Sequence, residues 1–262
     1  LHLYEPTGGK VRFKDPDQGW VDLASMSRQD LQPIRPNMQI IFQDPFMSLN
    51  PRMTVKRIVA EPAIINNVAQ GEELTDRVAE MLDVVGLRPE YMSRYPHAFS
   101  GGQRQRIGLA RSLILNPKLI ICDEPVSALD VSIQAQVLNL LEDLQEQFDL
   151  TYLFIAHDLS VVQHICDRVA VMYVGKLAEV ASTENLYYNP LHPYTEALMA
   201  AVPKPDPKQR DRPIRLPGEV ASPSNPPSGC YFHPRCRYSQ DICAEKEPQL
   251  REVEKDHFVT CH

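Results

Sequence analysis

Short apolar runs alternate with amphipathic stretches along the main part of the chain. The strand-like runs are MQIIF (38–42), LIIC (119–122) and TYLFIA (151–156). Between the second and third runs, apolar residues recur at helical spacing, namely Ile133, Val137, Leu141, Leu144 and Phe148. Continuously apolar strands joined by helices are typical of a parallel sheet that is buried on both faces. The pattern therefore predicts an α/β fold.

A helical region is predicted between the first two strands. Most of residues 53–97 have helical periodicity, and ELTDRVAEMLDVVGL places four apolar side chains on one face, those of Val78, Met81, Leu82 and Val85. Gly86 follows them as a helix stop. Another helix is predicted from Gly101 to Leu115, so that a helical subdomain covers about residues 53–115. Further on, RVAVMYVGKLAEVA predicts a hairpin that turns at Gly175 and Lys176.

Proline marks a division of the chain into three parts. The 23 prolines are unevenly distributed, and residues 203–227 contain many of them with few large apolar residues. Such a composition is typical of a linker or extended arm rather than of a core element. We therefore predict a main domain over residues 1–202, a linker over 203–227 and a cysteine-bearing tail over 228–262.

The charge balance argues against a nucleic-acid partner. The 262 residues include 27 Lys and Arg against 34 Asp and Glu, a formal net charge of −7, whereas proteins that bind phosphate backbones are usually basic. The chain also contains no apolar run close to the ~20 residues that a membrane-spanning helix needs. Any role at a membrane is therefore expected to be peripheral.

Acidic and imidazole side chains follow two of the predicted strands. Asp123 and Glu124 come directly after LIIC, and His157 follows TYLFIA. A lone pair of acids at this position would most often be helix-capping residues in a loop. Chemistry in parallel sheets, however, sits at the carboxyl ends of the strands, where one carboxylate can hold hydrated Mg²⁺ and its neighbour can accept a proton from water. The combination favours a functional site.

The segment FSGGQRQR (99–106) predicts an anion site at the start of a helix. Ser100 can cap the helix, and Gly101 and Gly102 allow a ligand to approach the backbone closely. A plain turn is the simpler interpretation of any Gly-Gly pair. Arg104 and Arg106 make the neighbourhood basic, and the residues alone do not decide whether they contact phosphate or a partner's carboxylate.

Together these segments resemble the ATP-binding subunits of ABC transporters. FSGGQ, LIICDEP, SALD and His157 are similar to the signature motif, the Walker B strand, the D-loop and the switch histidine of that family, and IIFQDPFMSLNPRMTV (40–55) is similar to its Q-loop. The order and spacing agree along nearly the whole chain. QDPFMSLNPRMTV, NPLHPYTEALMAAVP (189–203) and the cysteine tail resemble the dipeptide/oligopeptide importer branch, and PNMQIIFQDP resembles its F-type subunit. The resemblance implies a P-loop-NTPase-like nucleotide-binding domain with a helical subdomain.

The resemblance implies ATP and Mg²⁺ as ligands and assigns catalytic roles at the strand ends. Glu124 would be the general base that deprotonates the attacking water, and Asp123 would hold Mg²⁺. Gln43 would contact the metal and the water and report nucleotide state to the membrane subunit. His157 would contact the γ-phosphate.

The resemblance also implies a partner ATPase. Ser100, Gly101, Gly102 and Gln103 would close on ATP held by a second, different ATP-binding subunit, and Asp130 would couple the two sites. The other implied partners are transmembrane permease subunits and, indirectly, a solute-binding protein, but no nucleic acid. The expected location is the cytoplasmic face of the membrane.

Other functional classes stay open at this stage. Importers of nickel and other small solutes share the same features. A soluble ABC ATPase of DNA repair or translation would normally lack the HPYT segment and the cysteine tail. A non-hydrolytic regulatory relative that dimerises with an active ATPase is a third possibility.

One element of the family pattern is missing from the sequence. No G-x-x-x-x-G-K-[ST] phosphate loop occurs in it, and TGGK (7–10) is too short and is followed by Val11 instead of Ser or Thr. In the family this loop precedes the segment that resembles LYEPTGG. We therefore expect an N-terminally truncated chain that does not hydrolyse ATP by itself.

Four cysteines predict a metal site in the tail. Cys230, Cys236, Cys243 and Cys261 have five, six and seventeen residues between them, which lacks the C-x-x-C pairs of common zinc ribbons. The tail resembles the cysteine-rich segment of peptide-importer ATPases, which implies a [4Fe–4S] cluster. Of the three interpretations of these cysteines, we place a [4Fe–4S] cluster first, a zinc site second and free thiols third. A mixed zinc site could also use histidines of the tail, which are His233, His257 and His262.

Overall fold

The computed structural model describes residues 2–202 and 214–262. It divides into two compact units, Leu1–His157 and Asp158–His262. The predicted linker falls partly on residues 203–213, which lie outside the described residues. The second unit contains the tail, because strands of the tail belong to its sheet. The predicted domain boundaries after residues 202 and 227 stay predictions.

The first unit is a mixed helix and sheet structure. Its elements are β1 (Arg12–Asp15), β2 (Gly19–Asp22), α1 (Arg28–Leu31), β3 (Met38–Ile41), α2 (Val55–Ile65), α3 (Gly71–Val84), α4 (Gly101–Leu113), β4 (Leu119–Asp123), α5 (Val131–Phe148) and β5 (Thr151–Ile155). Strands β1 and β2 form an antiparallel hairpin, whereas β3, β4 and β5 form a parallel sheet in that order. The three predicted strands and the α/β class are confirmed.

One face of the parallel sheet is more deeply buried than the other. Ile120 and Cys122 have no exposed surface, and Tyr152 on the same face donates its hydroxyl to the Leu141 carbonyl of α5 at 2.9 Å. On the opposite face Leu153 and Ile155 are 53% and 45% exposed. The predicted burial on both faces is therefore wrong for β5. Its apolar residues alone could not show which face the described helices cover.

Helix α3 ends as its sequence predicts. Gly86 has a φ of +71°, which is open to glycine without strain. The Gly86 N–H donates to the Asp83 carbonyl and the Leu87 N–H donates to the Leu82 carbonyl, each at 2.8 Å. This pair of hydrogen bonds is the Schellman arrangement that satisfies the last carbonyls of a helix. The predicted helix stop at Gly86 is confirmed.

Helices α3 and α4 cap each other's C-termini with arginine side chains. Arg106 of α4 donates through Nη1 to the Val85 carbonyl at 3.0 Å, and Arg77 of α3 donates through Nε to the Ile114 carbonyl at 2.9 Å. Cationic donors at helix C-termini satisfy orphan carbonyls and complement the helix dipole. A Cβ at Gly86 would lie 2.7 Å from Arg106 Nη1, so glycine also leaves room for the guanidinium. The two caps fix the helical subdomain that presents α4.

The second unit is built on an antiparallel sheet. Its elements are α6 (Leu159–Ile165), β6 (Arg168–Tyr173), β7 (Lys176–Ser182), α7 (Thr183–Tyr188), α8 (Pro193–Ala201), α9 (Asp241–Glu245), β8 (Arg251–Glu254) and β9 (His257–Val259). The strand order is β6-β7-β9-β8, so the tail strands extend the predicted hairpin. The hairpin turns at Val174 and Gly175, both with positive φ, one residue earlier than predicted. Among the described residues, no helix combines the length and apolar character needed to cross a bilayer.

We expect Arg106→Met to lower the free energy of unfolding of the first unit by roughly 1 to 3 kcal/mol, because it removes a charge-assisted hydrogen bond to a helix C-terminus. Urea unfolding followed by far-UV circular dichroism measures the change. The matched control is Arg57→Met, an exposed arginine of α2, which should change stability by no more than ~0.5 kcal/mol. Equal effects of the two substitutions would contradict the capping role.

Candidate functional site

A strained turn follows the central strand of the parallel sheet. Glu124, directly after β4, has a φ of +45°, a conformation that non-glycine residues adopt only at a cost. The turn is held because the Glu124 N–H donates to the Ile155 carbonyl at 2.9 Å, and the Ser127 hydroxyl donates to the Glu124 carbonyl at 3.1 Å. Backbone strain of this kind clusters at functional sites, so it marks the turn at Glu124 as a candidate site.

Three polar side chains meet at the carboxyl edge of this sheet. Gln43 donates through Nε2 to Oε2 of Glu124 at 2.9 Å, and His157 Nδ1 lies 3.1 Å from the same oxygen. The three residues follow β3, β4 and β5, which are neighbours in the sheet. The Glu124 side chain is 23% exposed and that of His157 is 71% exposed. The site is therefore an accessible carboxylate flanked by an amide and an imidazole.

Asp123 is the last residue of β4 and is partly buried. It lies next to Glu124 in the chain, at the same edge of the sheet. A pair of carboxylates there provides the oxygen ligands that Mg²⁺ prefers. The arrangement can separate metal binding from proton transfer between two adjacent acids.

Helix α4 begins with a complete capping box. The Ser100 side chain accepts from the Gln103 N–H at 3.4 Å, and the Gln103 side chain accepts from the Ser100 N–H at 3.1 Å. Each partner thus satisfies an orphan donor of the first turn. The predicted cap at Ser100 is confirmed, and both side chains are engaged with the backbone in this conformation.

The glycines after Ser100 lie against the start of α5. A Cβ at Gly101 would meet Leu129 Cδ2 at 3.2 Å, and a Cβ at Gly102 would meet Ile133 Cγ2 at 2.4 Å. Gly102 is therefore required by close packing, and protein side chains occupy the space that the sequence assigned to an approaching ligand. This contact joins the segment Ser100–Gln103 to the segment that contains Asp130.

Asp130 caps α5. Its Oδ1 accepts from the Ser132 hydroxyl at 2.8 Å and from the Ile133 N–H at 3.1 Å. The hydrogen bond from Ser132, followed by the one from Ile133, lowers the pKa of Asp130 below its ordinary value. The starts of α4 and α5 thus lie together, and each helix has a first-turn N–H group, that of Gln103 and that of Ile133, satisfied by its capping side chain.

Two arginines of α4 contact the loop that follows Gln43. Nothing in the sequence indicated these contacts. Arg104 stacks on Phe46 with its guanidinium carbon 3.9 Å from the ring centroid, and Arg111 donates through Nη1 to the Ser48 carbonyl at 2.7 Å. Burial lowers the pKa of Arg111. Arg104 therefore contacts an aromatic ring, whereas Arg106 caps α3. The spacing of the arginines contained no signal for either partner, since both contacts are distant in sequence.

The four tail cysteines line one cavity in the second unit. The cavity measures about 350 Å³ with the open space at its mouth, and its wall also includes His192, Phe232, His233 and His262. All four cysteines are free thiols. Burial raises the pKa of Cys230, Cys236 and Cys261. For Cys261 the other three thiols raise the pKa further.

The histidines of the tail separate into two groups. His233 and His262 line the cavity, whereas His257 is fully buried in contact with Glu179. His257 is thus removed from the predicted mixed ligand set. Across residues 2–202 and 214–262, no three His, Cys, Asp or Glu side chains are placed to hold one metal ion directly.

Family models match both parts of the chain. Residues 1–127 match the model described as ABC transporter, and residues 178–243 match the model described as Oligopeptide/dipeptide transporter, C-terminal region. The second match includes the hairpin strand β7, the helix α8 and three of the four tail cysteines.

Curated relatives resemble the whole chain. An oligopeptide transport ATP-binding protein of Bacillus subtilis, AppF, is 54% identical over 266 residues, which cover 100% of this chain and 79% of the relative. OppF of Salmonella typhimurium, also an oligopeptide transport ATP-binding protein, is 53% identical over 97% of this chain and 77% of its own length. A putative peptide import ATP-binding protein of Brucella ovis is 52% identical over 100% of this chain and 81% of the relative.

Solved structures share the fold at lower identity. The cbiO1 protein of Clostridium perfringens, part of the ABC transporter complex cbiONQ, has a TM-score of 0.61 and 28% identity over 71% of each chain. The ATP-binding cassette MJ0796, solved as a dimer in a post-hydrolysis state with ADP and Pi, has a TM-score of 0.58 and 28% identity over 69% of this chain and 76% of that chain. Both are ATPase domains, which confirms the P-loop NTPase fold predicted from the motifs.

We expect Gly102→Ala to lower the free energy of unfolding by roughly 1 to 3 kcal/mol, because the new methyl group would overlap Ile133. The same substitution at Gly108 of α4 meets no atom within 4 Å, so it should leave stability unchanged or raise it by up to ~1 kcal/mol through helix propensity.

Urea unfolding of both variants provides the measurement. Gly102→Ala should cost less stability in a chain that already carries Ile133→Ala than in the unmodified chain, because the smaller side chain leaves room for the new methyl group. If Gly102→Ala and Gly108→Ala behaved alike, the packing contact between the two segments would be refuted.

Proposed function

This chain belongs to the family of oligopeptide ABC transporter ATP-binding proteins, and on that premise we propose that it powers the import of di- or oligopeptides by hydrolysing ATP. The observation that carries the proposal is the convergence of Gln43 and His157 on one oxygen of Glu124. Phosphoryl transfer needs positioned charge and an aligned water more than covalent help from the protein. A carboxylate held between an amide and an imidazole provides that positioning.

Glu124 acts as the general base of this reaction. Its free oxygen is available to accept a proton from the attacking water, while Gln43 and His157 hold the other oxygen and so fix the orientation of the carboxylate. The strained backbone at Glu124 supports the same role, since backbone strain clusters at functional sites. His157 contacts the γ-phosphate from the end of β5.

Magnesium binding falls to Asp123, with Gln43 as a second ligand. When bound, Mg²⁺ neutralises charge on the β- and γ-phosphates of ATP. The neighbouring acids Asp123 and Glu124 then have different functions, one toward the metal and one toward water. The family as a whole uses ATP and Mg²⁺.

Ser100, Gly101, Gly102 and Gln103 act on ATP held by a second ATP-binding subunit, and Asp130 couples the two sites. The packing of Gly102 on Ile133 supports this proposal because it joins the two segments mechanically. The dimeric state of the MJ0796 structure is consistent with such a pair. The further partners are transmembrane permease subunits, which place this chain at the cytoplasmic face of the membrane.

The phosphate-binding share of the site does not come from the printed sequence, which has no G-x-x-x-x-G-K-[ST] segment. The residues present supply the base, the metal ligand, the γ-phosphate contact and the signature segment. The names of the relatives favour peptides over nickel or another small solute as cargo.

We further propose that the four tail cysteines hold a [4Fe–4S] cluster, ahead of zinc. Their thiols line one cavity and are free of disulfides, which is the donor set that such a cluster requires. The spacing of the four cysteines lacks the C-x-x-C pairs of common zinc ribbons, which favours the cluster over zinc.

We expect Glu124→Gln to reduce uptake of a radiolabelled tripeptide by roughly 100-fold or more in cells that depend on this transporter, because the general base is lost while the shape of the side chain is kept. The control is Glu146→Gln, on an exposed position of α5, with uptake expected within about twofold of the unmodified protein. Immunoblots of the membrane fraction should show equal amounts of both variants. Near-normal uptake by Glu124→Gln would exclude the assigned base.

We expect the chain purified without oxygen to be brown, with broad visible absorption and about four irons and four sulfides per chain. Cys243→Ser should abolish the absorption, whereas Cys166→Ser should not, because Cys166 does not line the cavity. Metal analysis by mass spectrometry completes the measurement. A colourless protein with stoichiometric zinc would overturn the cluster.

A further inference from the structure

A fully buried carboxylate in the second unit ties three segments of the chain together. Glu179 of β7 accepts from His257 Nε2 of β9 at 2.7 Å. It also accepts from the backbone N–H groups of Leu191 and His192, just before α8, at 2.8 and 2.9 Å. The side chains of Glu179 and His257 have no exposed surface. One side chain thus joins β7, the tail strand and the start of α8.

General stability is a weak explanation for this contact. A buried ionic or polar pair can often be replaced by apolar residues of similar volume without loss of stability, because desolvation offsets the attraction. Such pairs can instead specify one arrangement among several. The pairing of two strands must be specified to a single register, since a slip of one residue turns every side chain to the opposite face. The contact between Glu179 and His257 marks the correct pairing of β9 with β7.

The segments that Glu179 joins lead into the cysteine cavity. Glu179 of β7 pairs with Val259 of β9. One residue further along the tail, the Thr260 N–H donates to the Ala178 carbonyl at 2.9 Å. The residue that follows Thr260 is Cys261. On the other side, the ring of His192 forms part of the cavity wall. The other three cysteines lie on the segment 230–243, which is held separately by the hydrogen bond from the Cys230 N–H to the Cys243 carbonyl.

We propose that Glu179 is a positioning residue for the four-thiol site. It sets the register in which β9 brings Cys261 to the other three thiols, and it holds the wall residue His192 in place through the backbone. His257 is the partner that recognises the correct register. The identity of the bound group rests on the proposed function. The positioning of Cys261 does not, because it acts on the metal-free thiols as well.

The test measures each thiol separately. The metal-free chain is treated with iodoacetamide, and the alkylation rate of each cysteine is followed by mass spectrometry. In Glu179→Gln the rate at Cys261 should rise on the order of tenfold, as expected for the loss of one buried charge-assisted hydrogen bond. The rates at Cys230, Cys236 and Cys243 should stay within about twofold of the unmodified chain. The matched control is Glu184→Gln, an exposed glutamate of α7, which should change none of the rates.

A second pair of variants guards against misfolding of Glu179→Gln. His257→Gln keeps an N–H donor at this position and should preserve slow alkylation of Cys261, whereas His257→Leu keeps the packing but loses the donor and should accelerate it. A rate increase shared equally by all four thiols would show that Glu179 only stabilises the unit and would overturn the proposal. Unchanged rates in both Glu179→Gln and His257→Leu would overturn it as well.

The same variants are then loaded with ferrous iron and sulfide without oxygen. The unmodified chain should acquire visible absorption, and Glu179→Gln should retain less than about half of it. If the unmodified chain takes up neither iron nor zinc, the proposed cluster fails, but the alkylation pattern still decides whether Glu179 positions Cys261. The two failures are therefore distinguishable.

Discussion

The parallel pairing of β3, β4 and β5 is the constraint on which the candidate site depends. Gln43, Glu124 and His157 are far apart in the sequence, and they meet only because each follows a strand that ends at the same edge of the sheet. In a parallel sheet this coincidence follows from strand direction, which explains why such sheets place chemistry at their carboxyl ends. The turn with the positive φ of Glu124 lies at this same edge, directly after β4.

Helix α4 begins with the segment Ser100–Gln103 and also contacts the loop that follows β3 at the carboxyl edge of the parallel sheet. Its N-terminus contacts the start of α5, its middle arginine caps α3, and Arg104 and Arg111 hold the loop after Gln43. A displacement of α4 would therefore move the loop after Gln43 and the segment Ser100–Gln103 together. Arginine is suited to these contacts because its planar guanidinium carries five N–H donors and also stacks on aromatic rings.

Much of this could be predicted from local sequence signals. The three strands, the Schellman stop at Gly86 and the cap at Ser100 each depend on a few adjacent residues, and all were predicted. The failures concern contacts between distant segments. Burial of both sheet faces was inferred for β5 from composition, but exposure depends on which elements cover Leu153. The partners of Arg104 and Arg106 were undecidable, because a guanidinium can bind a carbonyl, a ring or an anion equally well. The pairing of β9 with β7 could not be predicted, because so short a strand leaves no periodic signal.

The buried Glu179 illustrates the same limit from the opposite direction. In the sequence it is one acid within RVAVMYVGKLAEVA, where alternation in a hairpin would place a charged residue toward solvent. Its burial makes sense only when His257 and the backbone before α8 are considered with it, since three N–H donors offset the cost of removing a carboxylate from water. A charged side chain that is fully buried is thus itself informative. It indicates that the surrounding segments must meet in one arrangement, and in this unit that arrangement brings the fourth cysteine to the other three.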